Sequence, residues 1–466
     1  MTAETDLPEG PPIITEAMFE RWTRYPDPIS VKVQHSGLRH TKDAVVSRQI
    51  ERLEKAATVQ EFLAEYINAH KKWDGMHIFK SINYNLEPDT SSKKGFKAIV
   101  QFQELEEKSV GISIQREQSS TTPEVRFSDN NLFGRAWEAT LSAQGPHEAH
   151  RQINLSLKQK NPAFGLWNQW TLFNRARILE GHSLKRQQIR GLSFGCQMGP
   201  SQFGQHYFET GLEIRDMQPH KDEGVSEALY QDQGESEKTY IRHDCTLSQL
   251  TQEPGDVFPK GLHLWTSNEV AGSTNTVRHD VKAECYVPLL ERGLATLSLH
   301  AKLGFIWAFS GVSRIRVQDR YSLDSAYVRG YRGLGPGAPE VQNPPPVFEP
   351  PEEQPGGNVL GAASASLNFI LPGIMGPVTG HVFANAGNME YNENRQEVLT
   401  KEYAQKFIAG AKASVGCGLV IHVVPLWYGR MEFNLAFPLD RTGQPIQYPA
   451  SHVFDKFKLS LNWSNS

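Results

Sequence analysis

The residues of this chain with the most distinctive chemistry are isolated from one another in the sequence. Arg329 lies in the tetrapeptide Val328-Arg329-Gly330-Tyr331, within a long polar stretch that is rich in proline and glycine. An arginine enclosed by protein needs polar partners, because an unpaired buried charge is costly. We therefore expect Arg329 to bind a polar side chain and to hold its loop in place.

The histidines and cysteines form no recognisable catalytic or metal-binding set. His147 with His150, and His279 with Asp280, lack the spacing of structural zinc sites. The sequence contains neither a GxSxG motif nor a Walker loop. We therefore predict no enzyme activity, no cofactor and no metal ion. The cysteines, which we expect to be unpaired thiols, are Cys196, Cys245, Cys285 and Cys417.

Length, charge and hydropathy exclude several classes of protein. The chain has 466 residues, which is enough for two domains. Its formal net charge of -4 gives no basic field, so we expect no nucleic-acid partner. The mean hydropathy is -0.47, and the sequence has no apolar run of about 18 residues, which excludes a bundle of membrane helices. A transmembrane barrel is compatible with these values, because its strands show lipid only every second residue.

Residues 28–107 are predicted to form a small α+β domain after a polar N-terminal tail over residues 1–27. Alternating residues from Ile29 indicate a strand, and helical spacing follows. Thr58 and Glu61 form a capping box ahead of a second helix. Two more alternating segments complete the order strand, helix, helix, strand, strand.

Residues 108–466 are dominated by alternation of apolar and polar residues, as in segments 137–143, 297–303 and 431–437. Many segments have about 9 to 11 residues, the length of a tilted membrane-crossing strand, whereas strands of soluble sheets have a mode of about 5 or 6. At roughly 22 residues per strand and connection, about sixteen strands fit. We predict an all-β transmembrane barrel of antiparallel strands with a long lumenal loop over residues 310–357.

Three smaller features of this region also give predictions. Residues 218–238 are polar and are predicted to form a loop, and a short helix is predicted near residues 402–407. Tryptophans near predicted strand ends are expected to form girdles at the two membrane interfaces. These tryptophans are Trp167, Trp170, Trp265, Trp307, Trp427 and Trp463.

Several separated motifs resemble those of the BamA-type outer-membrane assembly superfamily. Residues 129–135, DNNLFGR, are similar to its turn after the second barrel strand, and residues 328–331, VRGY, to its lumenal loop. Residues 383–388, FANAGN, resemble its next wall motif in the mitochondrial form, with Asn385 in place of the bacterial aspartate. The element order of residues 28–107 resembles one polypeptide-transport-associated (POTRA) domain, a module that binds passing chains at a sheet edge.

The resemblance is to the central barrel subunits of the mitochondrial sorting and assembly machinery. It implies a multi-pass barrel in the mitochondrial outer membrane, with the POTRA domain facing the intermembrane space. It implies as partners β-barrel precursor proteins, peripheral subunits of the machinery, the general import pore and membrane lipids. It implies that Asn385 and Gly387 are the wall partners of the loop. The N-terminus has neither a secretory signal nor a basic presequence. Either a signal has been removed from the mature form or an organelle inserts the chain from the cytosol, and the start at Met1 favours the second.

The first and last barrel strands are predicted to form a lateral gate at which precursor proteins are inserted. Opening the gate exposes backbone groups that cost several kcal/mol each in lipid unless another strand satisfies them. A client strand satisfies them by edge addition. Gly111 is expected to weaken the packing of the first strand. The predicted gate residues are Val110, Gly111, Ile112 and Ile114 in the first strand, and Phe457, Leu459, Leu461 and Trp463 in the last.

Three other functions are compatible with the same sequence. A protein-translocating barrel of the superfamily, in a plastid or bacterial outer membrane, would pass extended chains through its lumen. A passive pore would need a lumen clear of the Arg329 loop. A soluble all-β binding protein would show the same alternation of apolar and polar residues.

Overall fold

A computed structural model gives the structure of most of the chain. The chain divides into two compact units. The first unit comprises Met1–Val110, Phe127–Thr140 and Ser156–Gln169, and the second comprises Gly111–Arg126, Leu141–Leu155 and Trp170–Ser466. The residues that the structure describes are 29–88, 95–106, 108–117, 120–145, 150–160, 167–177, 184–201, 204–219, 230–251, 258–290, 294–309, 314–321, 328, 356–371, 378–423, 429–439 and 457–461.

The N-terminal part of the first unit is a three-stranded sheet with two helices. The central strand β3 pairs in parallel with β1 and antiparallel with β2. The predicted order of strand, helix, helix, strand, strand is confirmed. The elements are β1 (Ser30–Ser36), a 3-10 helix (Asp43–Val45), α1 (Ser47–Glu54), α2 (Val59–Asp74), β2 (Phe79–Pro88) and β3 (Gly95–Glu104).

The predicted capping box at the start of α2 is confirmed. Thr58 Oγ1 accepts a hydrogen bond from the backbone N–H of Glu61 at 3.2 Å. The Glu61 carboxylate accepts one from the N–H of Ala57 at 2.8 Å. The first bond satisfies a donor that the helix N-terminus leaves unpaired, and the second joins Glu61 to the residue before the N-cap. They fix the start of α2, whose Phe62 and Trp73 are buried in the domain core.

A large antiparallel sheet contains the remaining strands. Its strands neighbour one another in chain order from β4 to β19, and β19 pairs with β4. The described strands are β4 (Lys108–Glu117), β5 (Ser120–Leu132), β6 (Trp137–Gln144), β7 (His150–Gln159), β8 (Trp167–Arg177), β9 (Leu184–Ser201), β10 (Gly204–Pro219), β11 (Gly234–Ser248), β12 (Gly261–Ala271), β13 (Thr276–Pro288), β14 (Ala295–Ala308), β15 (Val359–Ile370), β16 (Val378–Glu390), β17 (Lys412–Val423), β18 (Gly429–Leu439) and β19 (Phe457–Leu461).

The two faces of this sheet differ in polarity in the way the sequence alternation predicts. Successive side chains of a strand point to opposite faces. Asp280 of β13 is a buried carboxylate on one face, whereas Val281 beside it is exposed on the other. Leu299 and Leu303 of β14 are likewise exposed apolar side chains. One face, the polar face, therefore contains buried charged groups, and the apolar face exposes aliphatic side chains.

Two short helices lie between β16 and β17. They are α3 (Arg395–Val398) and α4 (Lys401–Ala409), and α4 confirms the helix predicted near residues 402–407. Thr400 caps α4, because its Oγ1 accepts from the N–H of Tyr403 at 3.1 Å. Among the described residues, no helix is both long enough and apolar enough to cross a membrane.

Two predictions about the strands are wrong. The loop predicted over residues 218–238 is too long, because β10 continues to Pro219 and β11 begins at Gly234. These strand ends are polar because they contribute charged side chains such as Lys238 to the polar face. Trp265 is not near a strand end: it lies inside β12, opposite Lys282.

Candidate functional site

Residues 314–321, here called the anchor segment, lie against the polar face of the large sheet. A 3-10 helix over Val317–Asp319 shapes the segment. Asp232, which precedes β11, accepts from the N–H of Val317 at 2.7 Å and pairs with Arg314 at 3.0 Å. Within the segment, Arg320 Nε donates to the carbonyl of Ile315 at 3.0 Å. The segment is therefore ordered by its own hydrogen bonds as well as by the sheet.

Asp319 is the electrostatic centre of the anchor segment. Its buried Oδ1 accepts from Arg215 of β10 at 2.7 Å and from Lys238 of β11 at 3.2 Å. Arg215 also pairs with Glu213 at 2.6 Å, and Lys238 also pairs with Glu269 of β12. Each buried cation is thus shared between a carboxylate of the sheet and the carboxylate of the segment, as buried charges require.

Tyr321 fixes the end of the anchor segment to the sheet. Its backbone exchanges hydrogen bonds with Gly357 at 2.8 and 3.1 Å. Its ring lies against Gly304, where a Cβ would stand 2.6 Å from the ring carbon Cζ. The guanidinium of Arg278 lies 4.5 Å from the ring centroid and donates to Asp280 at 2.6 Å. A larger residue at position 304 would therefore displace the tyrosine.

Val328, the first residue of the predicted loop motif, is 1% exposed and packs in an apolar cluster. A Cβ at Gly387 of β16 would stand 2.8 Å from Val328 Cγ2, so the glycine makes room for this side chain. Arg329, Gly330 and Tyr331 lie outside the described residues. The other members of the cluster are Ile306, Ile315, Tyr321, Leu360 and Met389.

Asn385, the predicted partner of Arg329, is buried on the same face of β16 as Gly387. Its Oδ1 accepts a hydrogen bond from Ser414 Oγ of β17 at 2.7 Å. The two residues are also direct neighbours in the strand register. Because Val328 contacts Gly387, the start of the loop motif lies close to this asparagine along the strand.

The pairing of β19 with β4, here called the strand seam, joins the last described strand to the first strand of the large sheet. Leu461 lies opposite Ile114, and Leu459 opposite Arg116. The structure therefore brings together residues predicted for the two sides of the gate. Phe457 pairs with Phe433 of β18. Trp463 lies outside the described residues.

The start of β4 presents apolar side chains to the outside. Val110 and Ile112 are exposed on one face of the strand. Between them, a Cβ at Gly111 would be no closer than 3.9 Å to Arg126 Cβ, which is ordinary contact. Within the described part of the chain, no close contact at this position requires a glycine.

Within the first unit, the loop before α1 contacts the turn between β5 and β6. Asn131 Nδ2 donates to Thr41 Oγ1 at 2.8 Å, and Asn131 Oδ1 accepts from the N–H of Ala136 at 2.8 Å. Gly134, at φ +68°, accepts from the N–H of Lys42 at 2.9 Å. A Cβ there would stand 2.1 Å from the carbonyl of His40. Only glycine fits this contact, which explains part of the DNNLFGR motif.

Glu104 stabilises the same loop from the end of β3. Its carboxylate accepts from the N–H groups of Arg39 at 3.1 Å, of His40 at 3.1 Å and of Thr41 at 2.8 Å. Burial alone would raise the pKa of Glu104, but the hydrogen bonds from Thr41, His40 and Arg39 outweigh it and lower the pKa below its ordinary value. The ionised carboxylate therefore holds the loop that contacts Asn131.

The sequence analysis did not identify Asp319 or its two cations as site residues. A signal was present, because Glu213 with Arg215 and Arg278 with Asp280 are opposite charges two residues apart, which places each pair on one face of a strand. Nothing in the sequence near Asp319 indicated which strands it would contact, since its partner Arg215 is 104 residues away.

In the part of the chain that the structure describes, no group of three histidine, cysteine or acidic residues is arranged to hold a metal ion. His279 instead forms a hydrogen bond with Asn268 of the neighbouring strand at 2.6 Å. The cysteines are free thiols.

A large antiparallel sheet with one polar and one exposed apolar face, whose last described strand pairs with its first, defines an outer-membrane β-barrel protein. Residues 107–453 match the model of the Omp85 superfamily domain, and the chain belongs to the Omp85 superfamily. A search of curated proteins finds no match to the chain.

Two solved structures are similar to the chain in fold. The crystal structure of BamA from Haemophilus ducreyi lacking POTRA domains 1-3 matches with a TM-score of 0.71 and 15% identity, over 93% of this chain and 84% of that chain. CdiB from Acinetobacter baumannii matches with a TM-score of 0.51 and 10% identity, over 94% of this chain and 73% of that chain. The fold of the chain is therefore similar to that of BamA.

Proposed function

We propose that the chain inserts and folds β-barrel precursor proteins into the mitochondrial outer membrane, by adding client strands at the strand seam. The observation that carries the proposal is the direct pairing of Leu461 with Ile114 between the two end strands of an Omp85 sheet. β4 and β19 are the first and last strands of the sheet in chain order, so hydrogen bonds hold this pair and no hairpin connects it. It is therefore a place where the barrel can open without unfolding.

The energetics of the bilayer favour exchange at the strand seam. Separating β4 from β19 leaves backbone groups unpaired, at a cost of several kcal/mol for each group in lipid. A client strand that pairs with β4 restores these hydrogen bonds. Folding of the client then drives the reaction. We therefore propose no covalent step, no cofactor and no enzyme activity.

The loop motif is proposed to hold the barrel wall in register while the strand seam is open. The contact of Val328 with Gly387 supports this role, because it brings the motif to the strand that contains Asn385. We propose that Arg329 binds Asn385, whose neutral amide would share the site with Ser414. The FANAGN motif around Asn385 also supports the assignment to the mitochondrial branch.

The N-terminal domain is proposed to be a POTRA domain that faces the intermembrane space and receives precursor proteins. Its strand order supports this assignment, because within the described residues β2 lies at an edge of the three-stranded sheet, where an incoming strand could pair. The proposed partners are β-barrel precursors, peripheral subunits of the sorting machinery, the general import pore and membrane lipids.

A disulfide across the strand seam tests the proposal. Ile114→Cys and Leu461→Cys would place two thiols at directly opposed positions, and facing Cα atoms in antiparallel strands are at disulfide distance. The four native cysteines are first replaced by serine. In proteoliposomes, oxidation should abolish insertion of a β-barrel precursor, and reduction should restore it.

The matched control pairs Ala301→Cys with Ala363→Cys, which are opposed in β14 and β15 away from the strand seam. Oxidation of this pair should leave insertion unchanged. Full activity of the protein locked at the strand seam would contradict the proposal, and passage of a precursor through that protein would indicate a translocating barrel. Fractionation of cells tests the mitochondrial assignment separately.

A further inference from the structure

The helices α3 and α4 pack on the apolar face of the large sheet. Val398 of α3 and Tyr403 of α4 are buried in one cluster with Val359 of β15. Phe305 and Trp307 of β14 pack against the same cluster. These two residues alternate in phase with Leu299 and Leu303, which are exposed on the apolar face. The helices therefore lie on the side of the sheet that faces lipid in an outer-membrane barrel.

Specific contacts fix α4 to the strands. Asn388 Nδ2 of β16 donates to the carbonyl of Phe407 at 2.7 Å. The Phe407 ring packs on β15 at Gly361. A Cβ at position 361 would stand 2.9 Å from Cε1 of this ring, so the glycine makes the contact possible. Arg395 of α3 lies 5.6 Å from the ring centroid of Trp307. These contacts with β14, β15 and β16 hold α3 and α4 on the apolar face.

The part of α4 that faces away from the strands is amphipathic. At about 3.6 residues per turn, Ala404 and Ile408 share one flank of the helix, and Glu402 and Lys406 share the opposite flank. Ile408 is 72% exposed, and so is Leu399 at the end of α3. Two large aliphatic side chains are thus left uncovered at the end of strands β14 to β16.

We propose that α3 and α4 form an interfacial anchor, in which Leu399 and Ile408 enter the lipid at the boundary between headgroups and acyl chains. The exposed aliphatic residues are continuous with the apolar face of the barrel, so the same lipid covers both. Trp307, which is half-buried beside this cluster, supplies an amphipathic aromatic group typical of membrane interfaces. On the opposite flank, Lys406 is available to headgroup phosphates, as in helices that lie in the plane of the interface.

Spin labels on the two flanks of α4 test this proposal in full-length protein. Labels are attached to Ile408→Cys and, as the matched control, to Glu402→Cys, after the native cysteines have been replaced by serine. The protein is reconstituted in phosphatidylcholine vesicles containing an anionic phospholipid. Collisions of each label with oxygen, which partitions into lipid, are compared with collisions with a water-soluble nickel chelate.

The ratio of oxygen to nickel accessibility should be several-fold higher at position 408 than at position 402. Equal ratios at the two positions would overturn the proposal, because both flanks of α4 would then lie in the same medium. Protection of position 408 from both reagents would also overturn it, because protein and not lipid would then surround the label. Unchanged β-sheet circular dichroism of both labelled proteins establishes that the barrel is folded.

Discussion

Arg215 and Asp319 are 104 residues apart in the chain, yet the arginine Nη1 donates to the aspartate Oδ1 at 2.7 Å. Lys238 donates to the same oxygen at 3.2 Å. The carboxylate thereby connects the anchor segment to two adjacent strands. The contacts of the segment with Arg215 and Lys238 therefore depend on one negative charge, in addition to the bonds that Asp232 and Gly357 make to other residues of the segment.

Replacing Asp319 with asparagine should loosen the anchor segment where it contacts β10 and β11. The substitution keeps the shape of the side chain but leaves Arg215 and Lys238 with less compensating charge, and we expect a loss of about 1–3 kcal/mol for a buried hydrogen bond to a charged group. Hydrogen exchange of the amides of residues 314–321 should become faster. Glu237→Gln, at an exposed position of β11, is the control, and equal exchange in the two variants would show that Asp319 does not hold the segment.

Gly387→Val should displace Val328 and with it the start of the loop motif. Even a Cβ at position 387 stands 2.8 Å from Val328 Cγ2, and the added methyl groups increase the overlap. In a cysteine-free protein, a thiol at Val328→Cys should change from protected to reactive when Gly387→Val is added. Ala384→Val on the exposed face of β16 is the control. Continued protection in the Gly387→Val protein would contradict this account of the glycine.

Much of the architecture could be predicted from the sequence, because period and capping are local properties. The helical spacing and the Thr58 capping box predicted α2, and alternation predicted strands such as β14. The predicted loop over residues 218–238 was wrong because a strand that presents charges to a polar face has the composition of a loop. The position of Trp265 in its strand was predicted wrongly for a related reason. Polar strand residues and polar turn residues have the same composition, so the sequence does not mark where β12 ends.

The candidate site could be predicted only in part. The family resemblance implied that Gly387 contacts the loop. That its neighbour there is Val328 could not be predicted, because this contact depends on packing between distant segments. The ion pairs of Asp319 depend on strand register and on the path of a loop, neither of which is encoded near Asp319 itself. The gate residues were predicted as two separate groups, and only the register shows that Leu461 faces Ile114.

Gly111→Ala should stabilise β4 and slow insertion. Among the described residues, a Cβ at position 111 meets Arg126 Cβ at the ordinary contact distance of 3.9 Å, so alanine fits beside this neighbour. Replacing glycine in a strand lowers the entropy cost of folding by about 0.5–1 kcal/mol, which makes the strand seam harder to open. The initial rate of precursor insertion in proteoliposomes should fall, whereas Gly272→Ala in the turn after β12 should not change it. An unchanged rate for Gly111→Ala would show that Gly111 does not contribute to opening of the strand seam.

Acid should loosen the loop over residues 39–41 through Glu104. Because hydrogen bonds lower the folded-state pKa of this carboxyl, its contribution to stability is present above the ordinary glutamate pKa of about 4.3 and is lost as the pH falls through the lowered folded value. Hydrogen exchange at the amides of Arg39, His40 and Thr41, corrected for the intrinsic rate, should therefore increase in this acidic range. In Glu104→Gln, exchange should be faster at neutral pH and should lose its dependence on pH. An acid-induced increase of the same size in both proteins would assign the effect to a different carboxyl group.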